Sequence, residues 1–185
     1  MRKFLFMLFI LAIAIPSYGS ANQDTTKFIP QGYNLSKEVK GDLNRDGIKD
    51  HVLIVKKIGD DKIVKNIRGE LVDRNRRGII ILLSSKNGYK LSTQNLSCFS
   101  SENEDDETSS QAELFIMVQK GDLVIVYDQG INGSLKYTFR LEKDHFELIG
   151  FKGVDITGDS EIITKLNNKT LLSEIKDFDQ FKLEE

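Results

Sequence analysis

Nine residues near the N-terminal third of the chain carry oxygen-bearing side chains at the spacing of a metal-binding loop. In residues 42–50 (DLNRDGIKD), carboxylate or amide oxygens occupy positions 1, 3, 5 and 9, and glycine occupies position 6. Ca²⁺ prefers about six to eight oxygen ligands, and alternate residues of a tight loop direct their side chains to one point. Gly47 permits the sharp turn that this arrangement needs. The predicted calcium ligands are the side chains of Asp42, Asn44, Asp46 and Asp50 and the main-chain carbonyl of Ile48.

This segment, here called the aspartate loop, is not an EF-hand. Leu53 stands where an EF-hand carries its bidentate glutamate, and an apolar, strand-like run follows the loop instead of a helix. The loop resembles the acidic loops of FG-GAP repeats in integrin-type β-propellers, in which a DxDxDGxxD segment leads into a hydrophobic strand. The alternative is a turn that binds no ion, because Asp, Asn and Gly are also ordinary turn residues.

Short apolar runs rich in β-branched residues must position this loop. They occupy residues 52–55, 79–83, 114–118 and 123–127. Such runs favour strands, and their continuous apolar character predicts that both faces are covered. No long segment with a helical period connects them, so a parallel α/β sheet is excluded. We predict an all-β fold of stacked antiparallel meander sheets that is propeller-blade-like near the N-terminus, with a β-sandwich as the alternative.

Turn residues between the runs predict hairpins at residues 86–88, 120–122, 142–145 and 167–168. About nine strands follow from this pattern, including strands at residues 161–166 and 170–175. Helix is confined to two short possibilities at residues 36–39 and 176–183. The second acidic cluster, residues 155–161, lacks glycine at its sixth position and is interpreted as a turn.

The N-terminus has the three parts of a secretory signal peptide. Arg2 and Lys3 precede an unbroken apolar run over residues 4–15, and Pro16 and small residues follow. The run is shorter than the roughly 20 residues that span a bilayer. We therefore predict a signal peptide over residues 1–21, with cleavage after Gly19 or Ala21, and a single all-β domain over residues 22–185. The predicted location is the periplasm or the exterior, without membrane insertion after cleavage. A retained N-terminal anchor is the alternative.

Charge and cysteine content exclude several classes of protein. The whole chain carries a formal net charge of −2, which is not the basic footprint of a nucleic-acid-binding protein. The only cysteine, Cys98, excludes an intrachain disulfide and is expected to be a small buried hydrophobe. Two oppositely charged segments stand out: the basic loop, residues 62–77, and the acidic loop, residues 102–107. We expect both to be solvated and to face each other through surface ion pairs.

Neither histidine lies in a recognisable nucleophile context. His51 begins a predicted strand beside the aspartate loop, and His145 lies in a predicted hairpin turn. The sequence therefore favours a non-catalytic, exported module that binds a protein or glycan and contains a structural calcium loop. The alternative is a small secreted hydrolase that uses carboxylates near the acidic segments, because paired carboxylates can perform such chemistry.

The chain from Phe28 onward also resembles small exported proteins of Bacteroidetes-type bacteria that have no assigned biochemical function. The resemblance rests on residues 28–33 (FIPQGY), 41–47 (GDLNRDG), 73–79 (DRNRRGI), 98–105 (CFSSENED), 137–140 (YTFR), 146–150 (FELIG) and 173–179 (SEIKDFD). It implies a shared fold and export. This chain departs from the pattern at residues 106–110 and 129–136, where relatives carry glycines and aromatic residues. If those aromatic residues form a ligand platform, this chain has lost it.

Overall fold

The computed structural model describes residues 24–60, 62–103, 113–128, 133–154, 162–163 and 169–178. These residues form an all-β fold of antiparallel strands, as the sequence predicts. The strands are β1 (Tyr33–Gly41), β2 (Asp50–Lys57), β3 (Ile63–Lys65), β4 (Leu71–Asp73), β5 (Arg77–Ser85), β6 (Gly88–Phe99), β7 (Glu113–Gln119), β8 (Asp122–Asp128), β9 (Ser134–Glu142), β10 (His145–Val154) and β11 (Ile162–Ile163). Two 3₁₀ turns, Thr25–Phe28 and Leu172–Glu174, flank them.

Two meander sheets account for nine of these strands. The first sheet has the order β1-β2-β5-β6, and the second has the order β11-β10-β9-β8-β7. The strands β3 and β4 form a separate two-stranded hairpin inserted between β2 and β5. The hairpin turns predicted at residues 86–88, 120–122 and 142–145 are confirmed, and the one predicted at residues 167–168 lies outside the described residues. The two large sheets agree with the predicted stacked meanders, while a propeller-blade arrangement stays a prediction.

The main core lies between the two sheets. Val52, Ile54, Ile79 and Ile81 of the first sheet belong to the same buried cluster as the aromatic residues of the second, among them Phe139. The opposite face of the first sheet carries a second cluster, which contains Leu53, Val55, Ile80 and Leu82 and is covered by residues such as Phe28 and Tyr89. Residues on alternate faces of β2 and β5 are therefore both buried, which explains why their sequences are continuously apolar.

The two sheets are joined along two sides. On one side β1 contacts β7, where a Cβ added at Gly41 would collide with the Val118 side chain. On the other side the C-terminal segment, residues 169–178, lies between β6 and β10. Phe178 is fully buried at the end of this segment, where its N–H donates to the Cys98 carbonyl at 3.0 Å. The segment therefore closes the side of the core that lies away from β1 and β7.

Three sequence predictions about secondary structure are wrong. Residues 36–39 belong to the edge strand β1 instead of a helix; its outward side chains are polar, so it lacks the apolar pattern of a buried strand. Part of the basic loop forms the β3–β4 hairpin. Residues 170–175 form one bridge, between Leu171 and Glu147, and a 3₁₀ turn instead of a strand.

Several other predictions fall partly or wholly outside the described residues. They are the signal peptide, residues 104–107 of the acidic loop, the turn at residues 155–161, most of the strand at residues 161–166 and most of the helical possibility at residues 176–183. In the part of the chain that the structure describes, no helix is long and apolar enough to cross a membrane.

Candidate metal centre

The aspartate loop connects β1 to β2, and the antiparallel pair Gly41–Asp50 closes its base. Leu43 is buried in the main core, and Ile48 is half-buried, so the two apolar residues of the loop help to anchor it as their character predicts. The polar positions between them remain at the surface. This alternation holds the loop in a compact shape in which Asp46 is exposed, Asp42 and Asn44 are half-buried and Asp50 is buried.

Asp50 is the buried residue that fixes the loop to the first sheet. Its Oδ2 atom accepts hydrogen bonds from the N–H groups of Leu43 at 2.8 Å and Asn44 at 3.3 Å. Its Oδ1 atom accepts a bond from the N–H of Ser84, in β5, at 2.8 Å. Burial raises the pKa of the Asp50 carboxyl, although these three N–H donors favour its ionised form. Sequence reasoning assigned this residue only a ligand role and missed its bonds to the backbone.

The other three oxygen-bearing side chains converge on the turn of the loop. Asp42 Oδ1 and Asn44 Oδ1 both accept from the N–H of Asp46, each at 3.1 Å. Asp42 Oδ2 accepts from Gly47 N–H at 2.9 Å, and Asp46 Oδ1 accepts from Ile48 N–H at 2.8 Å. The Asn44 amide also donates to Asp46 Oδ2 at 2.9 Å. The spacing 1-3-5 thus brings Asp42, Asn44 and Asp46 together, while Asp50 lies at the base of the loop.

Two residues with a left-handed backbone conformation shape this turn. Gly47 has φ +85°, a conformation in which glycine carries no steric penalty, and Arg45 has φ +61°. The Arg45 side chain extends to the start of β8, where its guanidinium lies 3.4 Å from Asp122 Oδ1. Arg140 binds both oxygens of the same carboxylate at 2.8 and 2.9 Å. These arginines, Arg140 above all, lower the pKa of the Asp122 carboxyl.

The donor set decides which ions the loop suits. Among the described residues, no three His, Cys, Asp or Glu side chains lie close enough together to hold a metal ion. A site here therefore needs the Asn44 amide oxygen and a main-chain carbonyl in addition to carboxylates. An all-oxygen set of mixed charge is chemically suited to Ca²⁺ and poorly suited to metals that prefer nitrogen or sulfur ligands.

Both histidines lie against carboxylates. His51 is buried beside the aspartate loop, and its Nδ1 atom lies 2.6 Å from Glu38 Oε1, a contact that lowers the pKa of the Glu38 carboxyl. Its ring also meets Tyr89 edge to face at a centroid distance of 4.7 Å. His145 lies 3.0 Å from Asp144 and 3.5 Å from Glu147. Each histidine thus contacts a carboxylate near the start of a strand, His51 in β2 and His145 in β10.

The basic and acidic loops contact each other, as the sequence predicts. Only some of the charged residues involved are at the surface. Glu102 lies 3.7 Å from Lys56 and 3.4 Å from Arg77. Arg77 is buried, with a side chain only 8% exposed, and its Nε donates to the Ser100 carbonyl at 2.9 Å. The prediction of a fully solvated loop is wrong here, because Arg77 begins β5, which is buried on both faces.

Cys98 has the environment that its sequence context predicts. It is fully buried in the main core, and burial raises the pKa of its thiol to about 12. A thiol with this pKa is almost wholly protonated at neutral pH, so it is a weak nucleophile and a weak metal ligand.

Comparisons with known proteins returned no matching family model, no matching curated protein and no matching solved structure.

Proposed function

We propose that this protein is an exported, non-catalytic binding module whose aspartate loop holds a structural calcium ion. The convergence of the Asp42, Asn44 and Asp46 side-chain oxygens on one turn supports this proposal most directly. These side chains would supply oxygen ligands together with the Ile48 carbonyl. Asp50 belongs to the set that the sequence predicts, but its buried carboxylate accepts three backbone N–H bonds and would have to exchange one of them to reach the ion.

Calcium would act on the loop by relieving the repulsion between its carboxylates. The Asp42 and Asp46 side chains lie on the same turn, where N–H groups are their donors in the structure. A bound cation neutralises part of their charge and holds the turn more tightly. Because Arg45 belongs to the same turn and reaches Asp122, a tighter loop also steadies the contact with the second sheet.

A structural role for the ion fits the surroundings of the loop better than a catalytic one. The nearest histidine, His51, is buried and paired with Glu38, and it has an aromatic ring against it. The loop joins two strands at the edge of the first sheet, a place where an ion stabilises a connection. The export predicted from residues 1–21 would expose the module to extracellular calcium. Its partner would be a protein or a glycan.

Calorimetric titration of calcium into residues 22–185 tests the proposal. We expect one site with a dissociation constant of about 10⁻⁴–10⁻³ M, as in other extracellular modules. Asp46→Ala removes a central ligand while keeping Gly47 and should abolish the binding heat. Asp60→Ala, at an exposed aspartate outside the loop, is the matched control and should titrate like the wild type.

Magnesium provides a second control in the same experiment. Mg²⁺ requires compact octahedral geometry and loses its water reluctantly, so it should bind more weakly than calcium. An absence of calcium heat in the wild type would contradict the proposal. Equal heats in the wild type and Asp46→Ala would show that calcium binds elsewhere.

A further inference from the structure

The C-terminal segment, residues 169–178, lies between β6 and β10 in the manner of a peptide bound in a groove. Three of its side chains, Leu172, Ile175 and Phe178, are buried at intervals of three residues. The residues at positions 173, 174 and 176 are exposed. The 3₁₀ turn over Leu172–Glu174 explains this spacing at its start, because such a turn has about three residues per turn. The segment therefore presents one apolar side to the sheets and one polar side to solvent.

Side chains of the two sheets bind the main chain of this segment. The Asn95 amide of β6 donates to two of its carbonyls, those of Leu172 at 2.9 Å and Ile175 at 2.8 Å. The Tyr137 hydroxyl of β9 donates to the Phe178 carbonyl at 2.8 Å. Every residue type has a carbonyl, so these bonds hold a peptide chain without reading its sequence. The buried side chains supply the specificity, as in other modes of peptide recognition.

Aromatic rings of β6 and β9 surround the last buried side chain, Phe178. Its ring stacks on Phe99 with 5.1 Å between centroids, and it meets Tyr137 and Phe139 edge to face at 4.9 and 6.0 Å. Such aromatic pairs are favourable beyond the area that they bury, so Phe178 is the main anchor of the segment. We call the surface that holds the segment the segment groove, and its residues include Asn95, Cys98, Phe99, Tyr137 and Phe139.

A bulge in β6 forms part of the segment groove. At an irregularity in the pairing of β5 with β6, residues 96–98 oppose Gly78 alone. A Cβ added at Gly78 would collide with the main chain of Leu96, so this close approach requires glycine. The extra residues of a bulge are left out of the regular ladder. The Cys98 carbonyl, in this bulge, accepts from the N–H of Phe178 at 3.0 Å.

An ion pair holds the segment next to its last buried side chain. Arg76 Nη1 lies 2.9 Å from Asp177 Oδ2, and Arg76 Nε donates to the Ser97 carbonyl of β6 at 2.7 Å. Arg76 therefore links the segment to the bulge. Both members of the pair are half-buried, and ion pairs near the surface contribute little to stability. Replacing Asp177 should loosen the segment while leaving its three buried side chains unchanged.

We propose that the segment groove binds the C-terminal segment of a second copy of this chain. The structure describes one β-bridge between the segment and a sheet, at Leu171 and Glu147, so the segment can leave the groove without the loss of a strand. The occupant whose fit the structure shows is this sequence, and a second copy carries it with the same three buried side chains. Exchange of an identical element between copies restores every contact and is a low-cost route to dimers.

Fluorescence anisotropy of a labelled peptide tests the proposal. The probe is a peptide of residues 169–178, added to residues 22–185 in EDTA so that calcium plays no part. The protein's own segment competes with the peptide, so the apparent affinity falls with the fraction of grooves that are open. Phe178→Ala in the protein should bind the peptide about tenfold more tightly than the wild type, because its own segment lacks the main anchor. Asp177→Ala keeps all three anchors and should also bind more tightly, which provides a second variant if Phe178→Ala does not fold.

Variants of the peptide provide the controls. Phe178→Ala in the peptide should weaken its binding by about tenfold or more, because burying one aromatic side chain is worth about that factor. Glu174→Ala, at an exposed residue of the segment, should bind like the unchanged peptide. Equal affinity of the peptide for the wild type and Asp177→Ala would show that it binds elsewhere and would overturn the proposal. The absence of binding to every form of the protein would overturn it as well.

Analytical ultracentrifugation of the wild type tests the exchange between whole chains. A tethered segment competes at an effective concentration on the order of millimolar. We therefore expect a dimer fraction that rises as the protein concentration approaches that range, and an excess of the peptide should reduce it. A wild type that stays monomeric over the same range, or a dimer that the peptide leaves unchanged, would contradict the exchange.

Discussion

Arg45 reaches from the aspartate loop to Asp122, the first residue of β8, with 3.4 Å between its guanidinium and the carboxylate. The contact joins a loop of the first sheet to a strand of the second. Gly121, in the turn before Asp122, has φ +82°, a backbone conformation that favours glycine, and a Cβ added there would displace the Arg45 side chain.

Replacing Asp122 by Asn should change the pH dependence of stability. Arg140 and Arg45 lower the pKa of this carboxyl in the folded state. A lowered folded pKa stabilises the protein above the unfolded value of about 3.9, and this contribution is lost as pH falls through the folded pKa. At neutral pH the free energy of unfolding of the wild type should be higher than that of Asp122→Asn. The difference should be at most about 1 kcal/mol, because both arginines are partly exposed to solvent.

Urea unfolding at neutral pH and near pH 3 measures this difference. The advantage of the wild type over Asp122→Asn should shrink at the lower pH. Asp60→Asn, at an exposed aspartate, is the control and should differ little from the wild type at either pH. A difference between the wild type and Asp122→Asn that is constant with pH would show that the charge of Asp122 contributes nothing.

Phe178 should be essential for closing the core. Its ring stacks on Phe99 at 5.1 Å and meets Tyr137 edge to face at 4.9 Å, while the Tyr137 hydroxyl donates to the Phe178 carbonyl at 2.8 Å. Phe178→Ala should lower the free energy of unfolding by about 3–5 kcal/mol, because it leaves a cavity among aromatic rings. Phe115→Ala, at a 39% exposed phenylalanine, should cost less than half as much in the same denaturant titration. Equal losses would mean that the C-terminal segment is not part of the core.

Arg77 should be structural and Arg68 should not. The Arg77 side chain is 8% exposed and donates to the Ser100 carbonyl, whereas the Arg68 side chain is 74% exposed. Arg77→Met should lower the free energy of unfolding by about 1–3 kcal/mol, because it leaves a buried carbonyl without its donor. Arg68→Met should stay within about 0.5 kcal/mol of the wild type. Thermal or chemical unfolding distinguishes them, and similar values for the two variants would refute the assignment.

Asp50→Asn should separate the structural role of the loop from calcium binding. The amide cannot accept hydrogen bonds through its NH₂ group, so at least one of the Leu43, Asn44 and Ser84 N–H donors loses its acceptor. We expect a loss of about 2 kcal/mol in the free energy of unfolding, measured in EDTA where no ion contributes. Stability in EDTA equal to that of the wild type would show that Asp50 does not hold the loop.

The sequence predicts the sheets well where burial decides the residue types. The continuous runs that became β2 and β5 are apolar because residues such as Val52 and Leu53 face different buried clusters. The sequence is a poor predictor of the strands at the edge of a sheet. β1 pairs with β2 along one side only and is mostly exposed, so its side chains carry little apolar pattern. The bridge at Leu171 depends on tertiary packing that no local pattern encodes.

In the candidate site, too, the sequence predicts the local geometry but not the contacts with distant residues. The spacing of Asp42, Asn44 and Asp46 predicts that their oxygens converge, because the geometry of a tight turn is local, and the structure brings them together. The spacing does not predict that Asp50 binds the N–H of Ser84 or that Arg45 meets Asp122. Those partners are 34 and 77 residues away in sequence, and only the folded sheets bring them near the loop.

Thermal melting of residues 22–185 in EDTA and in about 1 mM calcium tests the calcium assignment most directly. With a dissociation constant of about 10⁻⁴–10⁻³ M, binding adds about 0.4–1.4 kcal/mol to the free energy of unfolding. For a domain of this size we therefore expect calcium to raise the wild-type melting temperature by roughly 1–6 °C. Asp46→Ala should melt at the same temperature in both conditions. Identical melting of the wild type with and without calcium would contradict the assignment and leave the aspartate loop as a structural turn.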